Sequence, residues 1–422
     1  MLYKSPFQSQ NHKQDFEALK KLGQVAIFGT GNVGLMVLNA VKKTDIKIHC
    51  FTDNNNNRWG KDIKGYKVIS PEELYKKKQD MPVLIASDLN FPFMRKQLTE
   101  MGFKNIFDSD FIFAELDIDQ DECGVYWSDV KLKQKVDLYM YALMAQKEKK
   151  EKLMVNGIDI VLTEKCSLKC KDCSNLMQFY AKPVDEDFEQ VIKSIDIFMK
   201  TVDYVYEMRV IGGEPLMYKR IDEVIKHLLT YKNFGKLNIY TNGTIVPKGE
   251  KMKVFQNERV FFDISNYGVH SRNLDKLLGE LKRLNIAHNA QSVTTWQDAG
   301  RIVETNRTDQ ENKEVFGNCC ENQGLTILHG KLYLCPFSAN ATNLKAIPHA
   351  KDDIVDLSIP DKEKLKKNIR ELYFNTDFLE ACKSCNGRDH NVGRVEAAVQ
   401  TKAPLQYKEV NTKASSYRAN SN

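Results

Sequence analysis

No run of about 18 apolar residues occurs anywhere in this 422-residue chain, so no membrane-spanning helix is expected. The N-terminus, MLYKSPFQSQNHKQDF, lacks the apolar core of a secretory signal, which points to the cytoplasm. Aromatic residues do not interleave with the lysine runs at Lys76–Lys78 and Lys147–Lys152, and the net charge is only +6. Those runs therefore read as solvated surface, not as a nucleic-acid groove. Histidine is scarce, eight in all, and the solitary His270 and His288 mark no catalytic base. No fourth cysteine stands beside the three in CSLKCKDC, Cys166–Cys173, so that loop alone cannot complete a closed four-ligand metal site.

What is present is a soluble globular composition, 42% apolar and 28% charged, in a chain long enough for two or three domains. From QVAIFGTGNVG (residues 24–34) to KNIFDSD, short apolar strands alternate with helices, as in a small parallel doubly wound sheet. Val130–Lys152 is helical in composition and reads as a linker. A second strand series follows: IDIVL before the three cysteines, YEMRVI before Gly212, KLNIY before Thr241 and VFFDI before Ser265. Helices are expected between them at Asp187–Met199, Asp222–Leu229 and Leu274–Leu284. Polar or glycine-rich signals close every strand, and in parallel α/β folds that rim carries the ligands. Glu207 and Arg209, two apart on one strand, share a face toward that site.

Ten cysteines without secretory context point to metal or catalysis, not to a disulfide framework. Cys50 and Cys123 stand alone; the rest fall into two groups. In the first, C-x3-C-x2-C lets Cys166, Cys170 and Cys173 converge from one loop. A distant fourth cysteine could complete a zinc site, or three thiolates could hold an iron–sulfur cube with one iron left open. Together with GGEP (Gly212–Pro215), TNGT (Thr241–Thr244) and DISNYG, each at a strand end, this loop resembles the radical S-adenosylmethionine (SAM) enzymes. The resemblance implies a [4Fe–4S] cluster at Cys166, Cys170 and Cys173 whose open iron chelates the amino and carboxylate groups of SAM. It implies SAM contacts at Gly212, Gly213, Glu214, Pro215, Thr241, Asn242 and Ser265. The residue before the third cysteine, often aromatic in that family, is here Asp172, so adenine packing must come from elsewhere.

The second group also resembles that family. Cys320, Cys335 and the CKSC pair Cys382 and Cys385 are similar to its auxiliary-cluster extension, SPASM or the shorter twitch form. Four thiolates would ligate a second [4Fe–4S] cluster; Cys319 is a neighbouring alternative to Cys320, and a four-cysteine zinc site fits the same spacing. At the N-terminus, Gly29, Gly31 and Gly34 fit G-x-G-x-x-G between strand and helix, with Asp53 ending the next strand: the dinucleotide fingerprint. The text after it looks like small Rossmann-like domains attached to sugar-modifying enzymes, which implies a nucleotide or nucleotide-sugar ligand; a ligand-free glycine turn is the bland alternative.

The expected architecture is α/β. A Rossmann-like parallel sheet (1–120) and a helical linker (121–153) precede a partial (β/α)6 radical SAM barrel (154–310). A small twitch-like cysteine region (311–400) and a loosely docked tail (401–422) follow. The expected function is hydrogen abstraction by a 5′-deoxyadenosyl radical from a sugar, nucleotide sugar or similar polar metabolite, leading to dehydrogenation, epimerisation or elimination. A peptide-modifying radical SAM maturase is the second reading and a non-catalytic zinc- or nucleotide-binding regulator a distant third. A flavodoxin- or ferredoxin-type reductase would supply electrons; no residue is assigned as a catalytic acid or base.

Overall fold

The computed structural model describes residues 2–3, 10–87, 91–119, 129–148, 151–388 and 392–410. Cys123 and parts of the expected linker and tail lie outside them. The chain divides into two units, residues 1–150 and 151–422.

In the first unit, β1 (Gln24–Phe28), β2 (Lys47–Thr52), β3 (Asp62–Ile63), β4 (Tyr66–Ile69), β5 (Val83–Ile85) and β6 (Ile106–Asp108) form one sheet in the order β3-β4-β2-β1-β5-β6. All neighbouring pairs are parallel except β3 with β4. Val25 to Phe28 and Val83 to Ile85 are fully apolar because strands covered on both faces have no solvated side. Helix α1 (Asn32–Val41) springs from Gly31, and α2 (Pro71–Lys77) starts where the Ser70 side chain accepts from the Glu73 amide with proline in the first turn. Helix α3 (Phe91–Met101) precedes β6. The chain leaves β1 toward β2 and returns on its other side as β5, so a crevice opens at the C-terminal ends of β1 and β5.

The expected linker is corrected here. Helix α4 (Asp129–Glu148) belongs to this first unit: Leu132, Val136, Tyr139, Met140 and Leu143 are buried in its apolar core. Tyr139 Oη meets Ser109 Oγ at 2.5 Å. A helix with that much apolar surface is held by packing and cannot serve as a free tether.

The second unit is built on β7 (Met154–Val161), β8 (Tyr204–Ile211), β9 (Phe234–Thr241), β10 (Val260–Asn266) and β11 (Ala287–Ser292), parallel and adjacent in chain order. Helices α5 (Phe188–Thr201), α6 (Ile221–Leu228) and α7 (Leu274–Arg283) lie within one or two residues of the expected spans. Between the hairpin-sized strand β12 (Thr295–Gln297) and the end of the chain come β13 (Gly324–Leu328), β14 (Lys331–Tyr333), β15 (Ile354–Asp356) and β16 (Arg394–Glu396). Strand β13 joins β7 in parallel, and β14 and β15 add antiparallel strands, giving one eight-stranded sheet, β11-β10-β9-β8-β7-β13-β14-β15. Six of its strands are thus parallel, and the C-terminal cysteines are carried by loops of the same sheet. Residues 401–410, expected to be loose, are pinned: Leu405 donates to Gln178 O, Val410 to Lys345 O, and Tyr407 packs edge-on against Phe179. Among the described residues no helix is long and apolar enough to cross a membrane.

Candidate functional site

Strand β7 runs into the loop that carries Cys166, Cys170 and Cys173, and strand β8 ends in the GGEP turn beside it. The two turns are zipped together by backbone: Gly213 N donates to Thr163 O at 2.8 Å and Glu214 N to Lys165 O at 2.9 Å. A Cβ on Gly212 would lie inside 3.0 Å of Thr163, and one on Gly213 inside 3.0 Å of Lys165 O and 2.8 Å from Cys166 Cβ. The missing side chains therefore make room for the cysteine loop itself; both glycines still line the cavity by their backbone.

Glu214 is corrected. Its carboxylate is fully buried and turned inward, accepting from Thr241 Oγ1 at 2.8 Å, Asn242 N at 2.8 Å and Leu216 N at 3.2 Å. It clamps the GGEP turn to the TNGT turn, and burial raises its pKa to about 7 despite those donors. Neither Glu214 nor Pro215 lines the cavity, whereas Gly212, Gly213, Thr241, Asn242 and Ser265 do.

That cavity, about 440 Å³, is lined by Cys166, Cys170 and Cys173. Their sulfurs draw N–H donors: Leu168 N at 3.5 Å and Asn242 Nδ2 at 3.6 Å to Cys166, and Gln400 Nε2 at 3.2 Å to Cys170. Burial pushes the Cys170 thiol up to about 12, so thiolate forms only as metal binds and displaces the proton. Gln400 belongs to a C-terminal strap. Strand β16 pairs with β12, and the chain then crosses the loop with Lys171 N donating to Val399 O and Thr401 N to Lys169 O, both at 2.7 Å. Ala398 is buried against Leu168 and Cys170.

Asp172 is buried and accepts from Arg301 Nε at 3.1 Å, which fixes the loop's far end. Gly300 packs directly on the Asp172 carbonyl, leaving no room for a Cβ. The aromatic surface missing at position 172 is present as Tyr267 and Trp296, whose rings meet edge-on at 5.5 Å in the cavity wall. Asp159, Arg209, Glu321 and Arg388 line the same cavity. Arg209 Nε lies 2.6 Å from Asp159 Oδ1 on the neighbouring strand, and Arg388 Nη1 donates to Glu321 Oε1 at 2.8 Å. Glu207 turns to Lys236 at 3.2 Å instead and does not line the cavity.

Residues 160–306, which hold this loop and all four strand-end motifs, match the radical SAM superfamily. They are a radical SAM domain. Residues 21–106 match the family described as C2185-like, N-terminal. Molybdenum cofactor biosynthesis protein 1 of Dictyostelium discoideum is 26% identical over 168 residues, 39% of this chain and 24% of its own length. GTP 3′,8-cyclase of Campylobacter jejuni subsp. doylei is 29% identical over 137 residues, 32% of this chain and 34% of its own. The chain thus spans only a quarter to a third of these relatives. A solved anSMEcpe structure with bound AdoMet covers 61% of this chain and 93% of its own at 12% identity, with a TM-score of 0.38.

Outside the radical SAM domain, a second pocket gathers Cys335, Cys382 and Cys385 with Cys319 among Phe316, Phe337 and Leu379. The expectation of Cys320 is corrected: Cys320 is exposed and absent from the pocket, because Cys319 follows helix Asp309–Gly317 on its inward side. Backbone amides of Ser338, Leu379 and Gly387 donate to the sulfurs of Cys335, Cys382 and Cys385 at 3.2–3.4 Å. Glu321 lines both this pocket and the radical SAM cavity.

In the N-terminal unit, Gly29, Thr30, Gly31, Asn32 and Asp53 line a separate cavity of about 480 Å³. Gly34 does not; its missing Cβ lets α1 sit on the Gly29 carbonyl. A Cβ on Gly31 would meet nothing within 4 Å, so the loop backbone is open to a ligand there. Asp53 Oδ2 accepts from Thr30 N and Oγ1 at 2.9 and 2.6 Å, which shapes the loop before any ligand arrives.

Proposed function

We propose that this chain cleaves SAM beside Cys166, Cys170 and Cys173 and aims the resulting radical at a polar metabolite held against the charged wall of the same cavity. The carrying observation is that one cavity is lined both by the three cysteines and by Asp159, Arg209, Glu321 and Arg388. The donor set suits a cube with one open corner. A lone zinc ion would need sulfurs roughly 3.8 Å apart. Among the described residues no three His, Cys, Asp or Glu side chains are grouped to hold one ion. Four irons at separate corners need no such convergence.

Bound there, the reduced cluster and SAM supply a 5′-deoxyadenosyl radical able to take hydrogen from carbon. The chain's own residues do the rest. Gly212, Gly213, Thr241, Asn242 and Ser265 wall the space for SAM, and Glu214 holds their two turns in register. Tyr267 and Trp296 offer the adenine an apolar surface, and the strap at 394–401 shields the cluster loop from water. Cys319, Cys335, Cys382 and Cys385 would hold a second [4Fe–4S] cluster, with N–H donors on three of the four sulfurs supporting thiolates. The substrate is a sugar, nucleotide sugar or related polar metabolite, a class widened to nucleotides by relatives named GTP 3′,8-cyclase. The N-terminal cavity takes a nucleotide or nucleotide sugar, a cytoplasmic flavodoxin or ferredoxin donates electrons, and dehydrogenation, epimerisation and elimination are the candidate outcomes.

The test is anaerobic reconstitution with dithionite and SAM. Wild type should carry about eight irons and release 5′-deoxyadenosine, faster with its substrate from a panel of sugar phosphates and nucleotide sugars. Cys170→Ala should release none; undiminished cleavage by that variant overturns the assignment.

A further inference from the structure

One arginine adjoins both cysteine groups. The turn that carries Arg388 wraps the second group: Gly387 N donates to Cys385 Sγ at 3.3 Å, and Arg388 O accepts from Cys320 N at 3.4 Å. Arg388 also lines the cavity of Cys166, Cys170 and Cys173. Its Nη1 donates to Glu321 Oε1 at 2.8 Å, and Glu321 lines both that cavity and the pocket of the second group. Arg209 Nη2, 3.5 Å from the other Glu321 oxygen, braces the pair. Burial raises the thiols of Cys173 and Cys385, one from each group, and at both the Arg388 charge works in the opposite direction. The side chain is only 17% exposed, so solvent ions screen that charge little. Its Nη2 is buried and has no hydrogen-bond partner among the described residues. A guanidinium keeps its charge at any working pH, and its N–H groups donate strongly to anionic acceptors.

The potential of an iron–sulfur cluster follows the charge and the hydrogen bonds around its sulfurs. Reduction adds one negative charge, and a fixed positive charge nearby favours that state by simple Coulomb attraction. We propose that Arg388 is a positioning residue shared by both clusters, whose guanidinium raises their two reduction potentials together. This rests on the reading of a [4Fe–4S] cluster at each cysteine group, and it assigns the tuning of both to a single side chain.

The experiment is anaerobic redox titration of the full, reconstituted chain, read by electron paramagnetic resonance and visible absorbance, on wild type, Arg388→Gln and Arg388→Lys. Cys382→Ala, which lacks a ligand of the second cluster, assigns the midpoint that remains to the first. Iron content and the change that SAM makes in the reduced spectrum are recorded for each protein. Wild type should show two midpoints. Arg388→Gln should lower both at unchanged iron content, and Arg388→Lys should lower both by less, since the charge stays while the planar fork is lost. An ion pair with Glu321 that only braces the fold would change the melting temperature and leave both midpoints in place. Midpoints in Arg388→Gln equal to wild type, or a fall at one cluster alone, would overturn the proposal. Should Arg388→Gln not take up iron, Arg388→Lys must still lower both midpoints, and unmoved values there overturn it equally. A wild type with a single midpoint, or with a reduced spectrum that SAM leaves unchanged, would instead overturn the two-cluster reading beneath it.

Discussion

A single methyl group at position 213 tests how the cysteine loop is held. Gly213→Ala would place a Cβ 2.8 Å from Cys166 Cβ, where ordinary contact is 3.4–4 Å, and closer still to the Lys165 carbonyl. The strands must part by about 0.6 Å at Cys166 and by more at Lys165. That carbonyl cannot swing away freely, since it accepts from Glu214 N at 2.9 Å. Overpacking of this kind costs about 1–3 kcal/mol. For a unit of this size that is roughly a 2–10 °C fall in Tm. Because the displaced atom sits next to a cluster ligand, SAM affinity should fall about tenfold, the equivalent of about 1.4 kcal/mol. Thermal scans and SAM titrations of the reduced cluster, read by electron paramagnetic resonance, measure both. Gly31→Ala is the control: its Cβ meets nothing within 4 Å and its φ of −78° suits alanine, so Tm should not move. A Gly213→Ala protein that melts within about 1 °C of wild type and binds SAM equally well would refute the packing argument.

Three further outcomes are expected. Cys319→Ser should lower iron from about eight to about four per chain, while the exposed Cys320→Ser leaves it unchanged; the reverse pattern restores Cys320 to the ligand set. Gln400→Leu removes the 3.2 Å donor to Cys170 Sγ and should shift the first cluster's midpoint potential downward by on the order of tens of millivolts in a redox titration; an unmoved potential would show that the contact is idle. His329, whose ring lies 2.7 Å from Glu186 and 3.5 Å from Glu164, has its pKa raised to about 9 by those carboxylates. A histidine raised in the folded state contributes stability that is complete below about 6.5 and disappears as pH climbs through about 9. With the ring 41% exposed, solvent screening reduces this to about 1 kcal/mol. Denaturant melts of wild type and His329→Gln should therefore differ at pH 6 and converge by pH 10; a constant offset would count against the linkage.

Periodicity located four strands of the eight-stranded sheet, β7 to β10, and most of the first sheet, because each is either wholly apolar or closed by a polar turn, and α5 to α7 by their apolar stripes; β11 and β13 to β15, short and without such a signal, were not foreseen. It misplaced α4, since lysines and glutamines between its apolar positions look the same on a tether as on a half-buried helix. The cysteine spacing and the strand-end motifs made the cysteine-bearing part of the cavity legible. Glu214 was misread because a carboxylate within a ligand motif gives no sign of whether it faces ligand or core; only its three donors decide. Cys319 and Cys320 are adjacent, and which one faces inward depends on where the preceding helix ends. Arg388, Asp159 and Gln400 carried no local signal at all. Arg388 and Asp159 reach the cavity through pairings across the fold, and Gln400 lies 230 positions from the sulfur it contacts.

That long separation bears on how the protein matures. A strap supplied by residues 394–401 cannot cover the Cys170 thiol until nearly the whole described chain has left the ribosome, so the loop passes through synthesis naked. Closing so wide a loop is entropically little dearer than closing one half its length, but it is slow to find. Docking of the strap afterwards packs Ala398 onto Leu168 and Cys170 and leaves the sulfurs reachable from the cavity alone.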